Sequence, residues 1–372
     1  MSKTMLAARL HEFGQPFSLD QVPVPTPRPT DVLISVRACN VVPNLANVIT
    51  HYPKWFPYLP LPKLPATFGL DVSGVVAEVG SQVIGIAPGD RVYVTPERSC
   101  GACKACRSDD PTACQSVTFQ GYFGFGPGSA RVFEHYPNGG LAEYLIAPAR
   151  ALVKLPESIT FEQGARFGYL GTAYAALRKA NAGPGTSVII TGATGTLGVG
   201  AVLLALAMGV TRIFAVARNP ALLERVRLWD PRRIRVLSYG TQPLENWVRD
   251  QTGGVGADIQ IDSLPTGAPA TVTMDALKSL RRGGCGVSIG GMSETLPIDP
   301  VWFMCTELQW KGSVWFSVAE GEDMAAMADV GTLDLSRYEH HRWPLRDVNK
   351  LMASLESRDS GLANFVVMPE KS

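Results

Sequence analysis

The sequence predicts a two-domain α/β protein, and three observations lead to that prediction. Up to about residue 150, short β-branched runs are separated by Pro and Gly, which indicates an irregular, mostly β domain. From 153 to 296, strand-like runs alternate with helical patterns, as in a doubly wound parallel sheet. A chain of 372 residues suffices for two cores. We therefore predict domains at 1–152 and 153–296, with 297–372 rejoining the first domain.

The individual elements follow in the same order. The predicted strands of the first domain are apolar runs rich in Val, namely "DVLISVRA", "GVVAEVG" and "DRVYV". Those of the second domain are "SVIIT", "RIFAVA", "RVLSY", "DIQID" and "GVSIGG". The helical patterns between them are "GAVLLALAMG", "LLERVRLW" and "MDALKSLR". The remaining stretches "LQWKGSVWFS", "DMAAMADVG" and "LANFVVMP" are too little for a third core.

The composition excludes several classes of partner. With 34 basic and 33 acidic side chains and no basic run, nucleic acid and anionic membranes are poor partners, and a small-molecule substrate is expected. The start "MSKTMLAARLHEFGQP" lacks a signal-peptide core, and "LGVGAVLLALAMGV" is too short to span a bilayer. We therefore expect a soluble, cytoplasmic protein.

A glycine-rich turn predicts a dinucleotide site. Gly192, Gly195 and Gly198 follow an apolar strand and precede an apolar helix that Gly209 can terminate. Glycines there let the backbone approach a pyrophosphate, whose charge meets N–H groups at the helix start. The alternative is a turn required only for packing. The predicted cofactor contacts in this turn are Gly192, Thr194, Gly195, Thr196, Leu197 and Gly198.

The end of the next strand indicates which dinucleotide binds. Arg218 lies 20 residues after Gly198, no Asp or Glu occupies the strand end, and Asn219 follows as a neutral donor. A ribose 2′-hydroxyl favours a carboxylate there, whereas a 2′-phosphate favours a cation. The sequence therefore predicts NADP(H), the alternative being that Arg218 is a solvated surface residue.

Four cysteines predict a structural metal site. Cys100, Cys103, Cys106 and Cys114 give the spacing C-x2-C-x2-C-x7-C within a lobe at about 95–118. Four thiolates suit one tetrahedral Zn²⁺ and leave no position open for substrate, so the ion is expected to be structural. Paired disulfides and an iron–sulfur cluster are the alternatives, and the compartment disfavours the disulfides.

Taken together, these features resemble the medium-chain dehydrogenase/reductase superfamily, which includes zinc alcohol dehydrogenases and quinone oxidoreductases. The resemblance covers nearly the whole chain and implies a GroES-like catalytic domain followed by a Rossmann-type domain. It also implies a homodimer or homotetramer, and contacts of Thr172 with the nicotinamide and of Trp315 with the substrate. The segments that carry it, besides the cysteine lobe and the glycine-rich turn, are "GLDVSGVVAEVG", "PGDRV", "GGLAEY", "GTAYAAL" and "LRRGGCGVSIGG".

The catalytic zinc ligands of that superfamily are missing. By the resemblance they fall on Val42, Leu70 and about Gly168, none of which can bind zinc. Asp71 matches the acidic residue beside the lost histidine, and Asn44 and Asn47 replace the proton relay. The chain thus combines the active-site pattern of zinc-independent quinone and enone reductases with the structural zinc lobe of the other branch.

This combination predicts an NADPH-dependent reductase of activated C=C, C=O or C=N bonds, such as enones, enals, quinones or iminium species. Hydride transfer without zinc requires hydrogen-bond donors that stabilise the developing charge, and conjugation lowers that demand. The alternatives are an NADP-dependent alcohol dehydrogenase or ketone reductase and a non-catalytic NADPH-binding protein. The candidate donors are Asn44, His51, Tyr52, Tyr58 and Tyr169, for each of which packing is the alternative role. Cys39 is interpreted as a buried apolar thiol.

Overall fold

The computed structural model describes residues 3–355, 358 and 360–369. The strands of these residues are β1 (Thr4–Leu10), β2 (Ser18–Pro23), β3 (Asp31–Asn40), β4 (Ala66–Thr67), β5 (Asp71–Val79), β6 (Arg91–Val94), β7 (Glu97–Arg98), β8 (Thr118–Phe119), β9 (Tyr144–Pro148), β10 (Leu152–Lys154), β11 (Ser187–Thr191), β12 (Arg212–Ala217), β13 (Ile234–Ser238), β14 (Ala257–Asp262), β15 (Leu280–Ser288), β16 (Gln309–Gly312), β17 (Glu339–Pro344) and β18 (Ala363–Met368).

The helices lie between these strands. They are α1 (Leu45–Thr50), α2 (Tyr52–Trp55), α3 (Lys104–Arg107), α4 (Ser129–His135), α5 (Phe161–Gly164), α6 (Phe167–Lys179), α7 (Thr196–Ala207), α8 (Pro220–Arg227), α9 (Leu244–Gln251), α10 (Ala270–Lys278), α11 (Pro300–Thr306), α12 (Val318–Asp329) and α13 (Val348–Ser354). Short 3-10 turns occupy Pro111–Ala113, Ala149–Ala151, Leu335–Arg337 and Leu345–Asp347. None of the helices in the described ranges is long and apolar enough to cross a bilayer.

The amino-terminal domain is built around β3. This strand pairs with β5, β9 and β18, and its apolar residues are almost completely buried. The main sheet runs β10-β6-β5-β3-β18-β17 with β9 against β3, and a smaller sheet runs β2-β1-β4. Because β17 and β18 belong to the main sheet, the carboxy-terminal segment lies in the first domain.

The second domain has the predicted doubly wound parallel sheet. Its strand order is β13-β12-β11-β14-β15-β16, with every pair parallel. The chain leaves β11 in one direction towards β13 and later returns on the other side through β14. Ligands of such sheets bind at this switch point, beyond the carboxyl ends of the strands. The glycine-rich turn lies there, between β11 and α7.

The predicted domain boundaries need two corrections. The parallel sheet does not end at 296, because β16 at 309–312 pairs with β15 as the sixth strand and α11 forms the crossover. The sequence placed this strand with the returning segment because the stretches after 296 are too little to form a third core. The boundary at 152/153 also divides β10, which pairs with β6 and belongs to the first domain.

Helix α7 shows how the apolar pattern positions the site. Most of its residues are buried against the sheet, including Val199, Val202 and Leu204 at 0 % exposure. Gly209 follows Met208, the C-cap residue of α7. It adopts φ +78° and ends the helix as predicted. The amino-terminal end of α7 therefore faces the cleft between the domains from a rigid support.

Candidate active site in the interdomain cleft

A large cleft lies between the two domains. Its volume is about 1770 Å³, which exceeds the usual range of about 300–1,000 Å³ for one small-molecule pocket. The glycine-rich turn lines one part, and aromatic residues of the first domain line the other. The cleft therefore has room for a dinucleotide and a second molecule together.

The glycines of the turn meet three different requirements. Gly192 has φ +74°, a conformation that other residues rarely adopt. Gly195 is the N-cap of α7. At Gly198 a Cβ atom would lie 2.1 Å from the Gly192 carbonyl oxygen, so only glycine lets the helix pack against the strand end. This arrangement is suited to receive a pyrophosphate at the start of α7.

A segment far away in sequence packs on the same turn. The Gly361 N–H donates to the Thr194 carbonyl at 2.8 Å. The buried Arg166 side chain donates to the carbonyls of Thr196 and Gly361 at 3.2 and 3.0 Å. Arg358, three residues before Gly361, lines the cleft. No local motif links these two arginines to the turn, so the sequence alone does not predict them.

The strand end that predicts the dinucleotide also lies on the cleft. Arg218 follows β12, is exposed and lines the cleft. Asn219 lines it too, but its side-chain oxygen accepts the N–H groups of Ala221 and Leu222 at 3.0 and 3.2 Å and caps α8. Asn219 therefore has a structural role that the sequence analysis did not assign. Of the described residues that line the cleft, only Asp71 carries a carboxylate, and it belongs to the first domain.

The four cysteines are arranged for a metal ion. Sγ atoms lie 3.5 Å apart in Cys103 and Cys106, 3.6 Å in Cys100 and Cys114, and 4.0 Å in Cys100 and Cys106. All four fall within 4.8 Å of one another. A tetrahedron of sulfurs about 2.3 Å from Zn²⁺ has edges of about 3.8 Å, so this donor set fits zinc.

The cysteine lobe also reaches the cleft. Thr112 and Ala113, which immediately precede Cys114, line it. The Ser116 N–H donates to the Cys114 Sγ at 3.3 Å, a contact that favours a thiolate. The lobe is therefore part of the cleft wall as well as a candidate metal site.

The three positions expected for catalytic zinc ligands carry no ligand atoms. Val42 and Leu70 are buried hydrophobic residues. At Gly168 a Cβ atom would lie 1.9 Å from the Asp71 Oδ1, so the Asp71 carboxyl occupies the space where a ligating side chain would begin. In the described part of the chain, the four cysteines are the only group of three or more His, Cys, Asp or Glu arranged for a metal ion.

Asp71 is fully buried at the floor of the cleft. The Tyr93 hydroxyl donates to its Oδ1 at 2.9 Å, while Oδ2 has no partner among the described residues. Burial raises the pKa of Asp71 to about 7, although the Tyr93 hydrogen bond and the Arg166 charge lower it. A carboxyl in this setting retains its proton well above its ordinary range.

Amide and phenol side chains form a polar cluster above this floor. The Asn47 Nδ2 donates to the Asn44 Oδ1 at 3.0 Å. The Asn44 Nδ2 donates to the hydroxyl oxygens of Tyr52 at 2.7 Å and of Tyr122 at 2.9 Å. Asn44 precedes α1 but does not cap it with its side chain, which is thus free for this role. Tyr122 was not predicted from the sequence because nothing in its neighbouring residues indicates that its hydroxyl joins this hydrogen-bonded cluster.

The other candidates divide into those inside and outside the cleft. Tyr169 lines it, with the Arg166 guanidinium 5.3 Å from its ring, and burial raises the pKa of its phenol. Thr172 lines it and donates to the Gly168 carbonyl at 2.9 Å. Among the described residues, His51 and Tyr58 do not line it: His51 stacks on Trp55 at 4.6 Å, and Tyr58 is 70 % exposed. The structure thus gives His51 no place as a donor.

The substrate part of the cleft has an aromatic wall. Phe119 packs at 4.5 Å from Trp315 and at 4.9 Å from Phe125, measured between ring centroids. The Trp315 Nε1 donates to the Thr95 Oγ1 at 3.0 Å, which fixes the ring. The thiol of Cys39, which the sequence predicts to be buried, is indeed buried, and burial raises its pKa. The aromatic residues that line the cleft are Tyr52, Phe56, Phe119, Tyr122, Phe123, Phe125, Tyr169 and Trp315, with Tyr239 after β13 of the parallel sheet.

Comparisons with known proteins agree with this architecture. Residues 28–157 match the family described as alcohol dehydrogenase GroES-like domain, and residues 196–330 match zinc-binding dehydrogenase. Among curated proteins, an alcohol dehydrogenase of Geobacillus stearothermophilus is 32 % identical over 79 % of this chain and 80 % of its own length. An L-idonate 5-dehydrogenase of Vitis vinifera is 30 % identical over 74 % and 72 %.

A solved structure extends the similarity to the whole chain. The crystal structure of AibC has a TM-score of 0.85 and 26 % identity, and the match covers 100 % of this chain and 97 % of AibC. The family matches and the relatives therefore confirm both the two-domain architecture and the resemblance stated from the sequence.

Proposed function

The chain belongs to the medium-chain dehydrogenase/reductase superfamily of NAD(P)-dependent oxidoreductases, and from this premise we propose that it is an NADPH-dependent reductase of activated double bonds that works without a catalytic metal. The substrate class is a conjugated C=C, C=O or C=N compound, as in an enone, enal, quinone or iminium species. The observation that carries this proposal is the absence of metal ligands at three positions. Val42, Leu70 and Gly168 occupy the positions that, by the resemblance, hold the catalytic zinc ligands, and none of them has a side chain that can bind zinc.

The proposed chemistry follows from what the cleft residues can do. A bound nicotinamide supplies a hydride, and the protein must position the acceptor and stabilise negative charge on it. The aromatic wall can hold a planar apolar molecule, and the phenols of Tyr52 and Tyr122 lie beside it. Burial raises the pKa of both phenols, so they stay protonated at neutral pH. Conjugation suits this site because it spreads the charge that zinc would otherwise stabilise.

The preference for NADP(H) is supported by Arg218. Its guanidinium stands at the end of β12, where the 2′-substituent of an adenosine ribose is read in this type of fold. A carboxylate there would repel a 2′-phosphate, and the only carboxylate among the described lining residues is Asp71 in the other domain. We also propose that Cys100, Cys103, Cys106 and Cys114 hold one structural Zn²⁺.

A second candidate function is the oxidation of an alcohol or the reduction of an unactivated ketone. The observation that favours it is the naming of the sequence relatives, which are an alcohol dehydrogenase and an L-idonate 5-dehydrogenase. Alcohol oxidation requires a group that takes the hydroxyl proton, and the protonated phenols of the cleft are poor bases. The pKa of Asp71, about 7, would suit a base, but this carboxyl is fully buried and the Tyr93 hydroxyl occupies its Oδ1. We therefore rank it second.

A substrate panel tests the two candidates against each other. The protein is incubated with NADPH and, separately, with 2-cyclohexen-1-one, cinnamaldehyde, a benzoquinone, a cyclic iminium salt and acetone, and NADPH absorbance is followed. The proposal expects consumption with conjugated acceptors and little with acetone. Oxidation of simple alcohols with NADP⁺ at a comparable rate would favour the second candidate. Consumption with no acceptor at all would indicate a nucleotide-binding protein without this activity.

A further inference from the structure

The hydrogen-bond directions in the polar cluster have a consequence for the two phenols. An amide nitrogen carries two hydrogens and a phenol carries one hydrogen and two lone pairs. The Asn44 Nδ2 donates one hydrogen to the Tyr52 hydroxyl and the other to the Tyr122 hydroxyl, at 2.7 and 2.9 Å. Both phenol oxygens therefore act as acceptors towards Asn44, and each keeps its own hydrogen.

Those two phenol hydrogens remain available. In the described part of the chain, neither the Tyr52 nor the Tyr122 hydroxyl donates to another protein group. Both residues line the cleft, and a single nitrogen atom bridges their oxygens. Two O–H groups held by one nitrogen can converge on one acceptor atom, as the donors of an oxyanion hole do.

The direction of the amide is set by a further residue. The Asn47 Nδ2 donates to the Asn44 Oδ1 at 3.0 Å, so the Asn44 oxygen is occupied and its nitrogen faces the phenols. Asn47 lies on α1 three positions after Asn44, on the same side of the helix. Ring packing restrains the phenols themselves, with Tyr52 5.4 Å and Tyr122 4.7 Å from Phe123 between centroids.

From this geometry we propose that Tyr52 and Tyr122 act as a pair of hydrogen-bond donors to the carbonyl oxygen of a conjugated substrate, oriented by the amide chain Asn47 to Asn44. The inference rests on the proposed function and assigns Tyr122 and Asn47 to it. Hydride adds to the substrate carbon, the π electrons move to the carbonyl oxygen, and the two phenols stabilise the negative charge on that oxygen. A solvent proton then completes the reduced product while NADPH becomes NADP⁺.

The first experiment measures anion binding without turnover. 4-Nitrophenol is added to the NADP⁺-loaded protein, because its ionised form absorbs visible light and presents one anionic oxygen. The wild type is expected to bind it as the phenolate. Tyr52→Phe and Tyr122→Phe should each weaken this binding at least ten-fold, and the double variant should abolish it. Tyr58→Phe is the matched control, since Tyr58 is exposed outside the cleft and its loss should change nothing.

The second experiment tests the orienting amide. Asn47→Asp leaves both phenols in place but only accepts hydrogen bonds, so the Asn44 amide should rotate and take up the phenol hydrogens. We expect loss of nitrophenolate binding with folding and NADP⁺ affinity unchanged.

With cinnamaldehyde, kcat of each Tyr→Phe variant should fall about 100-fold at little changed KM, as for removal of one oxyanion donor.

The outcomes separate the inference from the proposed function. If the wild type binds no nitrophenolate, or if the Tyr→Phe variants keep both phenolate binding and kcat, the paired donors are wrong even when NADPH is consumed. If phenolate binding follows the variants as expected but no conjugated acceptor is reduced, the paired donors stand and the proposed function falls. Equal effects of Tyr58→Phe and Tyr52→Phe would also overturn the inference.

Discussion

Asp71 is the residue at which burial and charge conflict most clearly. Its folded pKa of about 7 lies above the ordinary value of 3.8, because burial disfavours the carboxylate more than the Tyr93 hydroxyl and the Arg166 charge favour it. The folded protein therefore binds this proton more tightly than the unfolded chain. The stability that the folded state gains from binding this proton is fully present below about pH 4 and is lost as pH rises towards 7.

Asp71→Asn should remove this pH dependence, because an amide can accept the Tyr93 hydrogen bond without ionising. We expect the free energy of unfolding of the variant, relative to wild type, to improve by roughly 2 to 4 kcal/mol between about pH 4 and about pH 8. Urea denaturation at both pH values measures it. Parallel pH profiles for the two proteins would show that Asp71 does not retain its proton on folding.

Gly168 is required by the same carboxyl. A Cβ atom there would lie 1.9 Å from the Asp71 Oδ1, so Gly168→Ala should destabilise the protein by about 1–3 kcal/mol, as overpacking does. The matched control is Gly200→Ala on α7, whose Cβ would meet only ordinary contacts at 3.5 Å. That change should be neutral or stabilising by up to about 1 kcal/mol. Thermal unfolding of both variants measures these changes in stability. Equal losses of stability in the two variants would contradict the steric explanation.

Arg218 provides a test of the proposed preference for NADP(H). Arg218→Ala should raise KM for NADPH about 10- to 100-fold, which corresponds to a charge-assisted hydrogen bond of about 1.5–3 kcal/mol, and should leave KM for NADH nearly unchanged. Steady-state kinetics with each nucleotide provides the measurement. Arg131→Ala on α4 controls for loss of a positive charge outside the cleft. A similar rise in KM for NADPH and for NADH would argue against a contact of Arg218 with the 2′-phosphate.

At the scale of elements, the cysteine lobe links metal binding to the cleft. Its four thiols belong to short, irregular segments around α3, and Thr112 and Ala113 between them line the cleft. A structural zinc site contributes on the order of 10 kcal/mol, far more than segments of this length bury. The order of this part of the cleft wall should therefore depend on the ion.

Cys103→Ser should abolish zinc binding, expose the loop to proteolysis and raise KM for the conjugated substrate. Zinc analysis of the wild type should give one ion per chain, and limited proteolysis should cut the variant between about 95 and 118. Cys305→Ser, a change at an exposed thiol outside the lobe, should keep the full zinc content. A zinc-free Cys103→Ser protein that resists proteolysis would refute the structural role.

At the scale of the whole molecule, the two domains differ in how far sequence predicts them. The second domain could be predicted well, because β11, the glycine-rich turn and α7 are consecutive and each local pattern agrees with the final structure. Strand β16 was assigned to the wrong domain because its own residues do not show that helix α11 brings it back beside β15. Local periodicity therefore predicts elements better than it predicts where a sheet ends.

The candidate site was predictable only in part for a related reason. The metal and nucleotide residues lie in short motifs, whereas Tyr122 reaches Asn44 across 78 positions and Arg166 reaches Gly361 across 195. No spacing rule connects such pairs. His51, one of the candidate donors from the sequence, stacks on Trp55 and lies outside the described lining of the cleft.

The hydrogen bond from Gly361 to Thr194 is one of the contacts that couple the two domains. Gly361 stands just before β18, which pairs with β3 and β17 in the first domain, while Thr194 belongs to the turn of the second. Melting should therefore be a single cooperative transition. Saturating NADPH at about 100 times its Kd should add about 2.7 kcal/mol to both domains. Amide exchange in β18 should slow with the nucleotide bound, whereas slowing confined to 187–312 would mean that the domains unfold independently.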